Sequence, residues 1–178
     1  MKKYGVAVYT VVLLAIALLL NYIEYLLPIQ SLIQIPGIKI GLSNVVILFA
    51  AMYANFAAAF VILILKCVVS AALYGSVTSL AFALTGGIIA LMSAYMLIKA
   101  RIYPRYMSII GVSAVGACLH NVGQLIAGCI MFFTYTVFNY LPMLLLGGLI
   151  SGSVTGLILE LIRKQADKAD IASRIKGD

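Results

Sequence analysis

The chain has no tryptophan, a single histidine and only five acidic residues in 178 positions. Its first aspartate comes at position 167. An aspartate-rich motif that could hold magnesium for a diphosphate substrate is therefore missing. So are the P-loop, HExxH and GxSxG patterns that would announce phosphate binding, zinc chemistry or a serine nucleophile. The lone His120 has no nucleophile or carboxylate partner that the sequence identifies. These gaps argue against an enzyme working alone, and no cofactor, catalytic residue or metal ligand set is expected.

Charge is scarce as a whole, at 10% of residues against 65% hydrophobic, with a mean hydropathy of +1.17. Too few polar residues remain to cover a soluble domain of this length. The composition is that of an integral membrane protein whose solvent is the lipid bilayer. Three cysteines, Cys67, Cys118 and Cys129, all sit in apolar segments and read as small buried hydrophobes.

The net charge of +7 is concentrated. Lys2 and Lys3 open the chain, Lys99, Arg101 and Arg105 share one loop, and Arg163, Lys164, Lys168, Arg174 and Lys176 crowd the end. Only Lys39 and Lys66 stand elsewhere. Basic segments of this kind mark the cytoplasmic side of a membrane protein. Nothing aromatic or motif-like accompanies them to suggest nucleic acid.

Hydropathy and punctuation then divide the chain. Helix 1 is expected over about 5–27, ending before Pro28, as an uncleaved crossing with no small-x-small processing site. The segment PIQSLIQIPGIKIGLSN is too broken to span and too apolar for an ordinary loop, so a re-entrant or lid-like cover between helices 1 and 2 is expected. Helix 2 takes about 42–54, capped near Ser43 or Asn44, with helix 3 at 57–75, helix 4 at 78–98, helix 5 at 107–131 and helix 6 from Pro142 to 162. The run FFTYTVFNY resembles an interfacial aromatic belt. The expected fold is an all-α bundle of six transmembrane helices over 1–162, with a basic cytoplasmic tail at 163–178 and both termini cytoplasmic. Six crossings keep all ten clustered basic residues on one side, whereas five or seven would split them.

Polar residues inside apolar helices are the candidates for function, since each needs a partner that the bilayer does not supply. On helix 5, Ser113, Gly116, Ala117, His120, Gln124 and Gly128 share a face, with Asn121 on its flank. Either this is a packing seam tied by hydrogen bonds, or it lines a pocket. Lys66 lies about nine residues from either end of helix 3, too far to snorkel easily, and calls for a bound anion or for neutralisation of its charge. Lys39, with Ser43, Asn44 and the N–H groups opening helix 2, either faces outer water or holds an anionic group. Glu24, with Asn21, closes helix 1 at the same outer level, as an interfacial anchor or as part of that site. Gly148, Gly152 and Gly156 recur every four residues and read as helix packing.

The runs PGIKIGLSNVVILFA, GVSAVGACLHNVGQLIAG and YLPMLLLGGLISGSVTGLILE resemble, in this order, the Gx transporter family, often labelled heptaprenyl diphosphate synthase component I. The label implies a subunit of a prenyl diphosphate synthase. The bundle with its outer loop instead resembles the substrate-binding S components of energy-coupling-factor vitamin transporters in bacterial plasma membranes. That resemblance implies a coupling subunit and an ABC-type ATPase as partners, and a small amphipathic or anionic molecule as substrate. Helix 1, GVAVYTVVLLAIALLL, lacks the AxxxA pattern with which many S components dock their coupling subunit. An accessory role in heptaprenyl diphosphate or isoprenoid quinone synthesis stands as the alternative.

Overall fold

A computed structural model describes residues 2–27 and 41–169. Within them the chain forms α1 (Lys2–Leu26), α2 (Leu42–Tyr53), α3 (Phe56–Tyr74), α4 (Val77–Lys99), α5 (Ile109–Phe132) and α6 (Leu141–Lys168). One helical turn (Ile102–Arg105) joins α4 to α5, and a 3-10 turn (Thr136–Tyr140) leads into α6. The expected all-α membrane bundle is what the chain builds, and no strand occurs among the described residues. The cover loop and Lys39 fall outside the described residues.

Local chemistry sets most of the helix ends. Asn55, Ser76 and Ser108 each accept a backbone N–H from the first turn of α3, α4 and α5. Pro142 sits in the first turn of α6, where its missing N–H costs nothing. The start of α2 differs from expectation. Its cap is Gly41, at φ 81°, and Ser43 and Asn44 lie inside the first turn with their side chains free to reach other helices.

Five of the helices are long and apolar enough to cross a membrane. α2 is not: its 12 residues rise about 18 Å, against a hydrocarbon core of about 30 Å. It is instead the most enclosed helix, with Val45 through Ala51 all buried. Such a half-length helix is tolerated because α1, α3 and α6 surround it rather than lipid. α1 shows the opposite pattern, turning Val8, Val11, Val12 and Leu19 outward as an apolar face suited to acyl chains.

One buried cluster joins Tyr53 at the end of α2, Tyr103 and Met107 beside α5, and Leu159 and Ala166 on α6, with Val6 and Tyr9 of α1 against it. Both ends of the described chain therefore lie on one side, the side that carries the basic clusters. α6 runs to Lys168, six residues beyond the expected end at 162. Arg163 explains the extension, bonding Glu160 at 3.0 Å and Asp167 at 3.1 Å along the helix face. Tyr53 then donates its hydroxyl to Asp167, tying the half-helix to these last turns. Tyr53→Phe is expected to lower stability by about 1 kcal/mol and to speed amide hydrogen exchange over residues 163–168.

Candidate functional site

α5 stands between α4 and α6, and its small and polar residues divide between the two. Toward α6 the contact is backbone-close. A Cβ added at Gly148 would meet Cys118 Cα at 3.1 Å, one at Gly152 would meet Ala114 Cα at 2.6 Å, and one at Gly156 would meet Ile110 Cα at 2.6 Å. The four-residue glycine spacing is thus a packing seam. Two side-chain bonds fasten it: Ser113 to Thr155 at 2.9 Å, and Asn121 Nδ2 to the Leu144 carbonyl at 2.6 Å. Toward α4, Gly86 makes room for His120 and Gln124, whose atoms would lie 3.1 Å from a Cβ there. Gly123 returns the close approach, against Gly86 Cα.

Between these seams and the half-helix lies a cavity of about 610 Å³ with walls from all six helices. That volume is in the range of sites for drug-sized ligands. Glu24, Ser43, Asn44, Lys66, His120, Asn121 and Gln124 all line it, so the structure brings together every described candidate from the sequence. They do not play one role. Asn121 is buried and spends its amide protons on the α6 carbonyl, so it belongs to the seam as much as to the cavity. Gln124, in contrast, makes no hydrogen bond among the described residues while facing the open volume.

Lys66 is 7% exposed, and its Nζ donates to Ser43 Oγ at 3.1 Å and Asn44 Oδ1 at 3.3 Å. These bonds place the first turn of α2 halfway along α3, since Lys66 is the eleventh of the 19 residues in that helix. The α2 N-terminus thus opens into the protein interior, with its partial positive charge toward the cavity. Glu24 Oε1 accepts the Gly41 N–H at 2.5 Å and joins the end of α1 to this same turn. The interfacial-anchor alternative for Glu24 therefore misses its bond to the half-helix.

Several wall residues escaped notice in the sequence. Ser151 and Thr155 sit between the seam glycines, and their i, i+4 spacing beside those glycines was the available signal. Tyr25 and Tyr74 stack at the Glu24 end with ring centroids 4.4 Å apart, and Tyr74 donates its hydroxyl to Asn21 Oδ1. Nothing in a tyrosine near a helix end separates this from a membrane-interface position. Among the described residues, no three of His, Cys, Asp and Glu converge to hold a metal ion.

A family model described as heptaprenyl diphosphate synthase component I matches residues 13–162, which takes in all six helices but the first turns of α1 and the last of α6. No curated protein and no solved structure matches the chain.

Proposed function

The chain belongs to the heptaprenyl diphosphate synthase component I family, and on that premise we propose that it is a membrane-embedded substrate-binding subunit of an uptake transporter, akin to the S components of energy-coupling-factor systems. One observation carries the reading: apolar helices surround a cavity of about 610 Å³ on whose wall Glu24, Ser43, Asn44, Lys66, His120, Asn121 and Gln124 meet. Gln124 faces that volume and makes no hydrogen bond among the described residues, and a polar group in such surroundings is costly unless something uses it. A packing seam needs the Asn121 and Ser113 bonds, but it has no use for a Gln124 that faces the cavity and bonds to no described residue.

The protein binds and releases rather than converts, and a partner coupling subunit and ATPase supply the energy. It resides in the plasma membrane of a bacterium with its basic side in the cytoplasm, as the charge distribution favours. The family description supports a second reading, an accessory membrane component beside a prenyl diphosphate synthase. Co-purification from native membranes separates the two: a transport ATPase supports the first, and a soluble prenyl synthase the second.

The binding role has its own test. Gln124→Ala and His120→Ala are expected to leave the melting temperature within about 2 °C while reducing the small molecule retained on purification at least tenfold, a loss of about 1.4 kcal/mol. Retention equal to wild type in both variants, read by mass spectrometry, refutes the pocket.

A further inference from the structure

Directional bonds grip α2 at both ends. At the cavity, Gly41 donates its N–H to Glu24, and Ser43 and Asn44 accept from Lys66. At the basic side, Tyr53 donates its hydroxyl to Asp167, with the Arg163 carbonyl oxygen 3.4 Å away. The side chains from Val45 through Ala51 are apolar and buried. Apolar contact is non-directional, so it keeps the helix buried without fixing where it stands along its axis. Packed helices slide past one another by about 1–2 Å in switching transitions. A helix of 12 residues moves as one body, so a shift at one end arrives at the other, about 18 Å away.

The two ends serve different places. Ser43 and Asn44 stand on the cavity wall, whereas Tyr53 is not among the described residues that line it. Asp167 belongs to the last turns of α6, which Arg163 braces through its pairs with Glu160 and Asp167. The half-helix therefore spans from the cavity to the basic face of the bundle, with a side-chain bond at each stop.

We propose that Tyr53 and Asp167 are positioning residues for the cavity. Through α2 they set where Ser43 and Asn44 stand, and a change at the cavity returns along the same helix to residues 163–168. Such coupling is reciprocal in free energy. Its purpose rests on the binding role proposed above: an occupied and an empty cavity then present different ends of α6 on the basic side.

Amide hydrogen exchange over residues 163–168 reads the basic end, and Ser43→Ala perturbs the cavity end. The full chain, Ser43→Ala, Tyr53→Phe and the double variant are compared in lipid nanodiscs. Ser43→Ala is expected to speed exchange over 163–168 by about threefold or more, with residues 96–99, the last turn of α4, exchanging as in wild type. In the Tyr53→Phe background, where the link is already cut, Ser43→Ala adds almost nothing. Distant sites are ordinarily additive, so this shortfall measures the coupling. In return, Tyr53→Phe keeps the ring and its packing but lowers the small molecule retained on purification by about threefold or more, read by mass spectrometry below the melting transition. A Tyr53 that only stabilised the fold would leave that retention unchanged. Exchange over 163–168 unmoved by Ser43→Ala, equal acceleration in both backgrounds, equal acceleration over 96–99, or wild-type retention in Tyr53→Phe each overturns the coupling. None of these results touches the binding role, which Gln124→Ala and His120→Ala decide.

Discussion

Lys66→Met is expected to leave the bundle at least as stable as wild type while weakening ligand binding ten- to a hundredfold. The two effects part because the lysine is costly where it stands. At the centre of a spanning helix an ammonium costs about 2.5–3.5 kcal/mol on insertion scales, and methionine of similar length removes that cost. Against this stand its bonds to Ser43 and Asn44, at 3.1 and 3.3 Å. Interhelical hydrogen bonds in membranes average about 0.6 kcal/mol each, so losing these two by themselves does not outweigh the gain. For a ligand, a lost hydrogen bond to a charged partner costs about 1.5–3 kcal/mol, which gives the expected drop in affinity. Thermal unfolding in detergent and quantitative ligand retention, measured on the same preparation, check both halves. A variant that loses stability and keeps its ligand would make Lys66 a strut between α2 and α3 and nothing more.

Helix positions were legible wherever hydropathy meets a strong punctuation residue. The α3–α4 turn at Gly75–Ser76 and the start of α6 at Pro142 fall where the sequence places them, because proline and small capping residues act over one or two positions. The end of α6 and the use made of the first turn of α2 depend on side-chain contacts that hydropathy does not register. α6 continues past 162 because Arg163 pairs with Glu160 and Asp167 along its face, and Tyr53, 114 residues before Asp167, ties those turns to α2. Ser43 and Asn44 read as caps for α2, yet Gly41 takes the cap and both side chains serve Lys66, more than 20 residues away. The candidate site was legible as a set of residues because any polar group deep in a spanning helix stands out against lipid. Its internal division was not legible. Asn121 and Gln124 are alike in sequence, one turn apart on α5, but only Asn121 has the Leu144 carbonyl within reach.

Gly152→Val is expected to destabilise the protein by about 2–4 kcal/mol, and the cavity with it. The added Cβ would lie 2.6 Å from Ala114 Cα and 2.9 Å from the Ser113 carbonyl oxygen, both backbone atoms of α5 that no rotamer change can move. The helices must separate, and overpacking of this kind costs about 1–3 kcal/mol. Separation also stretches the Ser113–Thr155 bond on the next turn and the Asn121–Leu144 bond two turns above, adding about 0.6 kcal/mol for each. At about 2–4 °C per kcal/mol for a chain of this size, the melting temperature falls by roughly 5–15 °C. Val154→Leu, on the outward face of the same helix, changes the apolar volume without touching α5 and is the matched control, expected to stay within about 0.5 kcal/mol of wild type. Ligand retention separates seam from site here as well. Ser113, Asn121 and Thr155 belong to both, so a shift of α6 away from α5 moves one wall of the cavity, and Gly152→Val loses ligand even below its melting transition. A variant that melts early but binds normally when cold would mean that the wall formed by α6 takes no part in recognition, leaving Glu24, Lys66, His120 and Gln124 to hold the ligand.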